Sequence, residues 1–255
     1  MKDTSNLKIL GIVGVRSGSK GVHHKNIKPL AGKPLVGWIL DAARESKYIN
    51  RLVVSTDIEE YAIVARQFGA EVPYLRPKEL ASDGSPEFEY VKHMIEWLYK
   101  NDGYKPDMVV RLLATAPLQS VVDIDACIEE LLKDPNAQSA VVIAEARQIP
   151  HKALKLINDG SGGKHLVSYF TESGRDVTPI ARQNYEKVYF RANVIAFRPE
   201  VISSTSSLTG DRVRYHIIPQ ERAIDIDSPI DFFIAEKLIE KFKEGAGPVD
   251  PTHPV

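Results

Sequence analysis

The chain has a single cysteine, Cys127, in 255 residues. One thiol cannot close an internal disulfide, so no covalent staple holds the fold and a reducing compartment suits it. Ile124, Ile128 and Leu131 lie around Cys127 at helical spacing, which reads as a buried helix face rather than a nucleophile's setting. Long apolar runs are also missing: none reaches the roughly 18 residues a membrane span needs. The first residues, MKDTSNL, are polar and carry no signal-like hydrophobic segment, so a cytoplasmic protein without membrane association is expected. Excess charge of one sign is absent, with 33 Lys+Arg against 34 Asp+Glu and a net charge of −1. That balance argues against a general nucleic-acid binder. The 7 histidines show no metal-ligand spacing, and no internal repeat or low-complexity domain is present.

What is there is an ordinary globular composition, 43% hydrophobic and 26% charged, enough for a full core. Residues 7–15 (LKILGIVGV) form an almost wholly apolar strand, the pattern of a strand covered on both faces. Pro34 suits a first helical position, followed by Leu35, Trp38, Ile39 and Ala42 at helical spacing. RLVVST at 51–56 is a second strand, and Asp57 with Glu60 reads as a capping box for a helix to Phe68. Residues 71–75 read as a short strand. Val91, Met94, Ile95 and Leu98 make a helical stripe, and 107–113 is a strand. Asp123 is placed to cap a helix over 124–133, before a strand at 140–144. This alternation predicts an α/β, doubly wound, mostly parallel sheet. The pattern breaks over 150–195, which holds Gly160, Gly162, Gly163 and several aromatics and reads as an inserted set of strands and loops. Residues 214–218 and 223–226 return to the sheet, and a helix at 229–243 follows, with Ile230, Phe233, Ile234 and Leu238 on one face. Residues 244–255 form a Gly/Pro-rich tail expected to fray.

The first strand feeds RSGSKGVHHKNIK, residues 16–28. Gly18 and Gly21 allow backbone N–H groups to curl around an anion. Arg16, Lys20, Lys25 and Lys28 supply positive charge for a polyphosphate. A Walker loop is excluded because Gly14 is not followed by GK[ST] at the required spacing, and GxGxxG is absent too. A solvated basic loop is the plain alternative.

Arg16, Ser19, Lys20, Gly21, Lys25 and Asn26 stand in the order R-x-x-S-K-G-x-x-x-K-N. This resembles the N-terminal signature of the acylneuraminate cytidylyltransferases, the CMP-sialic acid synthetase family, including its pseudaminate and legionaminate branches. Further resembling segments are STD at 55–57, FGAEVPYLRPKELASD at 68–83, TAPL at 115–118, ARQNYEKVYFRAN at 181–193 and IDIDSPID at 224–231, spanning about residues 7 to 240. The resemblance implies a nucleotide-diphospho-sugar transferase-like, Rossmann-like fold in one domain over 1–255. It also implies that the inserted 150–195 region serves dimerisation and sugar binding in a homodimer. The implied reaction joins CMP from CTP to the anomeric hydroxyl of a nonulosonic acid, with Mg²⁺ as cofactor.

By the same resemblance, Arg16 and Lys25 bind the triphosphate with support from Ser19, Lys20 and Gly21. Asn26 hydrogen-bonds the phosphates or ribose. Arg76 with the ELASD turn, including Ala81, reads the base, and Ser85 just after that turn also binds the nucleotide. Asp225 and Asp227 face the same way if they lie on a strand and can then share a hard cation, and Asp227 also assists deprotonation of the attacking hydroxyl. Ser228 is available to cap the following helix, with Asp231 in its first turn. Lys152, Arg182, Arg191 and Asn193 belong to the sugar side, Arg182 holding the carboxylate. The chain departs from the family pattern where Leu113 replaces a glutamine, Gln119 an arginine, Glu87 a serine, His23 a proline and Val194 a glycine. Leu113 suits a less polar sugar substituent, so pseudaminic and legionaminic acids stand beside N-acetylneuraminate as candidates. A guanylyl- or other nucleotidyltransferase on a sugar 1-phosphate, and a non-catalytic nucleotide-sugar binder, are the alternatives.

Overall fold

The computed structural model describes residues 6–18, 21–170 and 184–245. They fall into two compact units, 1–143 with 191–255, and 144–190. The second unit thus covers most of the expected insertion but starts and ends a few residues earlier.

In the first unit the chain runs β1 (Ile9–Gly14), a small hairpin of β2 (Pro29–Leu30) and β3 (Lys33–Pro34), then α1 (Leu35–Glu45) and β4 (Arg51–Ser55). Helices α2 (Glu59–Gln67) and α3 (Glu87–Asp102) precede β5 (Met108–Leu113), α4 (Val121–Lys133) and β6 (Ser139–Glu145). Leu154–Asn158 (β7) and Lys164–Ser168 (β8) pair antiparallel within the second unit. The chain returns through β9 (Tyr189–Phe197), α5 (Glu200–Thr205), β10 (Val213–Ile218) and α6 (Pro229–Lys243). The six-stranded sheet has the order β10-β6-β9-β5-β1-β4.

β1 lies between β4 and β5, parallel to both, while β9 runs antiparallel to β5. The register pairs Gly14 with Ser55 on one side and with Leu113 on the other. Three strand carboxyl ends therefore meet at one edge. Because β4 and β5 flank β1 on opposite sides, the winding direction reverses here, the place where open α/β sheets bind ligands. Leu10, Ile12, Val53, Val109 and Phe197 pack with Val91, Met94 and Leu98 of α3 in one core cluster. Cys127 is fully buried in α4, as its spacing implied, and burial pushes its thiol up to about 12.

Several local expectations are corrected. Residues 71–75 make only a single parallel bridge, Val53 to Glu71, because Pro73 has no N–H to continue a ladder. Pro34 sits at the N-cap of α1, one residue before the helix. Asp57 does not cap α2, which starts after Ile58; its carboxylate is engaged by Ser17 of the loop after β1 instead. Asp123 is not the N-cap of α4 but its third residue. Ser120 is the cap, accepting from the Asp123 amide while its own N–H donates to Asp123 Oδ2 at 2.9 Å. Residues 223–226 form no sheet strand: a 3-10 turn at Gln220–Ala223 precedes them, and one backbone bond, Ile226 N–H to Thr115 O at 2.9 Å, ties them down. On α6, Ile230 and Phe233 are exposed, whereas Ala235 and Ile239 pack with Leu30, Leu35, Leu118, Ile224 and Ile226. No helix among the described residues is long and apolar enough to cross a membrane.

Candidate active site

At the carboxyl edge of β1, β4 and β5 lies a cleft of ≈ 420 Å³. Arg16, Gly21, Lys25 and Asn26 line it from the loop after β1, Arg76, Ser85, Glu87 and Tyr90 from the approach to α3, and Asp225 and Asp227 from the segment before α6. The basic loop and the two acids, some two hundred residues apart in sequence, therefore share one wall.

Loop geometry is fixed from outside. Asp57 Oδ1 accepts from the Ser17 amide at 2.8 Å and Oδ2 from the Ser17 hydroxyl at 2.6 Å. Asn26 Nδ2 donates to the Arg16 carbonyl at 3.1 Å, so its amide group braces the loop. A Cβ on Gly21 would collide with the Asp227 carbonyl oxygen, which makes this glycine a requirement of close approach between loop and acidic segment. Ser19 and Lys20 lie outside the described residues.

The cations are paired with acids of the cleft itself. Lys25 is only 9% exposed, and its Nζ donates to Ile226 O at 2.6 Å and Asp227 Oδ1 at 3.0 Å. Arg16 Nη1 is 2.7 Å from Asp83 Oδ1 and 3.4 Å from the Ala81 carbonyl, so Ala81 enters through its backbone. Asp225 has no hydrogen-bond or ion-pair partner among the described residues and is exposed in the cleft. Ile224 and Ile226 are buried while Asp225 and Asp227 are exposed. Extended backbone thus puts both carboxylates on one side even without a strand ladder.

Arg76 is buried, donating from Nε to Ser55 Oγ at 2.9 Å and from Nη2 to Ser55 O at 2.6 Å, with its guanidinium 4.2 Å from the Tyr90 ring centroid. Burial shifts its pKa down from the usual arginine value. Ser85 Oγ donates to Glu89 at 2.9 Å. Behind the acidic segment, Gln119 Nε2 donates to the Arg222 carbonyl at 2.9 Å, and Arg222 Nη2 lies 3.1 Å from the fully buried Asp123 Oδ1. His216 Nε2 faces the same oxygen at 3.8 Å.

Of the sugar-side residues, Leu113 lines the cleft. Asn193 adopts a left-handed backbone, φ 68°, and its carbonyl accepts from Arg111 Nη1 at 3.1 Å, while Arg191 is exposed on β9. Lys152 belongs to the second unit, its ammonium 5.6 Å from the Tyr185 ring centroid. Arg182 falls outside the described residues. Sequence reasoning assigned no role to Tyr90 or Arg111 and took Asp57 for a helix cap. Arg111 carried a usable signal, a charge inside the apolar run MVVRLL, since a buried charge requires a partner.

Residues 10–243 match the cytidylyltransferase family model. The chain is 30% identical to post-translational flagellin modification protein B of Campylobacter coli, over 92% of this chain and 96% of that protein. It is 30% identical to CMP-N,N'-diacetyllegionaminic acid synthase of Legionella pneumophila, covering 93% of this chain and 99% of that protein. It is 26% identical to N-acylneuraminate cytidylyltransferase of Escherichia coli and spans 52% of that longer protein. Among solved structures, CMP:2-keto-3-deoxy-manno-octonic acid synthetase complexed with CTP superposes with a TM-score of 0.65 at 14% identity, over 92% of this chain and 99% of that one. That likeness speaks to fold.

Proposed function

The chain belongs to the cytidylyltransferase family, and on that premise we propose that it transfers CMP from CTP to the anomeric hydroxyl of a nonulosonic, sialic-type acid. The oxygen of that hydroxyl attacks the α-phosphorus, the bond to the bridging oxygen of the β-phosphate breaks, and pyrophosphate leaves. The observation that carries this reading is the convergence of Arg16 and Lys25 with Asp225 and Asp227 in one cleft. Arg16 and Lys25 neutralise the phosphates and the charge that grows on them in the transition state. Each is held by an acid that the triphosphate would displace, Asp83 and Asp227. Ser19, Lys20 and Gly21 complete the anion-binding loop.

Asp225 and Asp227 are hard oxygen donors beside the phosphate cations, the first without a partner among the described residues and the second mostly exposed, a set that fits Mg²⁺. When bound, that ion supplies further charge neutralisation to the triphosphate. Asp227 assists removal of the hydroxyl proton.

Relatives carrying out legionaminate and acylneuraminate activation support a nine-carbon 2-keto acid as acceptor. Leu113 in the cleft favours a di-acylamino acid, such as legionaminic or pseudaminic acid, over N-acetylneuraminate. Arg182, Arg191, Asn193 and Lys152 are assigned to this acceptor. The β7–β8 hairpin exposes Leu154, Leu156, Ile157 and Leu166, which supports burial against a second copy in a homodimer; sedimentation would test it. Pyrophosphate release with CTP or GTP, across a panel of nonulosonic acids and sugar 1-phosphates with product masses recorded, tests the reaction. Turnover with GTP and a sugar 1-phosphate, and none with CTP and any sugar acid, would overturn it.

A further inference from the structure

Glu87 begins α3 and lines the cleft, a carboxylate where phosphates are expected to bind. Its Oε1 is held: Arg111 Nε lies 3.1 Å away, and the Tyr90 hydroxyl donates to it at 3.3 Å. Arg111 is itself 5% exposed and anchored to the Asn193 carbonyl. Burial pushes the Tyr90 phenol well above its usual value, with the Glu87 charge adding to the effect, so the hydroxyl remains a donor. A Cβ on Gly14 would come 2.5 Å from that hydroxyl oxygen, so a glycine at the end of β1 makes room for Tyr90.

The same tyrosine links Glu87 to Arg76. Its ring carries the Arg76 guanidinium and its hydroxyl meets Glu87. Ser55 takes up Arg76 Nε and Nη2, leaving Nη1 without a hydrogen-bond partner among the described residues. Glu87 Oε2 is in the same condition. A pinned donor over the face of the Tyr90 ring and a pinned acceptor at its hydroxyl thus share one cleft. Neutralising Arg111 accounts for Oε1 but gives Oε2 nothing to bind.

We propose that Glu87 is a specificity-determining residue that accepts a hydrogen bond from the exocyclic amine of the nucleotide base, while Arg76 Nη1, the nitrogen that Ser55 leaves open, donates to the adjoining edge of the base formed by its ring nitrogen and carbonyl oxygen. That set complements cytosine: an amine at C4, and acceptors at N3 and O2. Uracil offers an oxygen at C4, which a carboxylate repels, and an N3–H facing a guanidinium that only donates. This inference rests on the CTP reading above and adds a side chain at the position where the resembling family carries serine.

The test compares CTP, UTP, GTP and a CTP analogue lacking the 4-amino group, in turnover and in calorimetric binding without acceptor. The wild-type protein is expected to favour CTP over UTP by about a hundredfold, and over the deaminated-ring analogue by tenfold or more. Glu87→Gln, whose carboxamide can donate to the C4 oxygen, should lower the CTP:UTP ratio about tenfold through nucleotide KM, leaving half-saturating Mg²⁺ unchanged. The analogue needs no variant, so the idea stays open to refutation even if Glu87→Gln misfolds. Equal binding of CTP and the analogue by wild type, an unchanged ratio in Glu87→Gln, or tighter binding of GTP would each overturn the proposal. Selective CTP binding without turnover on any sugar acid would refute the proposed reaction and leave this contact standing.

Discussion

Replacing Lys25 separates a catalytic cation from a structural one, and the structure supplies both magnitudes. Its Nζ bond to the Ile226 carbonyl contributes about 1 kcal/mol to stability. The ion pair with Asp227 contributes well under 1 kcal/mol, because that carboxylate is 78% exposed and screened by solvent. Lys25→Ala would also strip a buried aliphatic stem at about 0.8 kcal/mol per methylene, so Lys25→Met is the better variant. Its expected penalty is about 1–2 kcal/mol, a fall in Tm of roughly 2–8 °C for a chain of this size. The loss in rate is of another order. Removing one preorganised group that meets developing phosphate charge lowers kcat by about 10²–10³, or roughly 3–4 kcal/mol. The assay is coupled pyrophosphate release at saturating CTP and 25 °C, beside thermal melts followed by circular dichroism. Half-saturating Mg²⁺ should not rise, because Asp227 loses its competitor. A Lys25→Met protein that melts a few degrees lower yet turns over at the wild-type rate would refute the assignment of this ammonium to the phosphates.

Asp225→Asn should raise half-saturating Mg²⁺ by at least about tenfold while leaving Tm nearly unchanged, since the carboxylate is exposed and has no partner among the described residues; an unaltered magnesium titration would remove it from the metal site. Gly21→Ala forces the loop away from the Asp227 carbonyl and should lower kcat/KM for CTP by about tenfold or more, whereas a neutral effect would show the close approach to be dispensable. Arg222→Gln leaves Oδ1 of the fully buried Asp123 facing only His216, while Oδ2 keeps its bonds from Ser120, with an expected loss of about 3 kcal/mol in urea unfolding; less than about 1 kcal/mol would mean that His216 or water suffices. Burial alone would raise the Asp231 pKa, but hydrogen bonds from the Ser228 hydroxyl and the amides of Asp227 and Ser228 hold it below the usual carboxylate value. The stability it contributes is therefore present above the unfolded value of about 3.9 and is lost as pH falls through the lower folded value. Asp231→Asn should lower Tm at pH 7 and converge on wild type in acid, and a pH-independent gap would contradict this.

The parallel core and its helices were legible because period-2 and period-3.6 patterns report burial, and burial built these elements. The 229–243 helix, its Ser228–Asp231 start and the Cys127 face all stand as read. Several misplacements are those of polar residues with two available uses. Asp57 has the spacing of a capping box, but two donors on Ser17 offer it more than one amide would. Asp225 and Asp227 alternate with isoleucines as a strand would, yet a 3-10 turn before them and Pro229 after them leave room for one backbone bond. The alternation, not the ladder, aims the acids. On α6, a stripe chosen by hydrophobicity alone included Ile230 and Phe233, which the helix start leaves in solvent.

Less legible was that a changed residue in a polar site brings a distant partner with it. Glu87 and Gln119 stand out against the resembling pattern as single substitutions. In the fold each meets an arginine that is distant in sequence. Arg111, from the middle of a buried strand, supplies the countercharge that lets a carboxylate at Glu87 stay fixed at the cleft wall. Arg222 brings a guanidinium to Asp123, one helical turn beyond Gln119, while Gln119 holds the Arg222 backbone. Three residues after Arg222 comes Asp225. These contacts tie the segment that carries the two acids to the start of α4. On the proposed reading the two arginine contacts bear on different parts of the reaction, Arg111 on the base through Glu87 and Arg222 on the segment of the acidic pair, so selectivity for the nucleotide and the magnesium titration should respond to separate sets of substitutions.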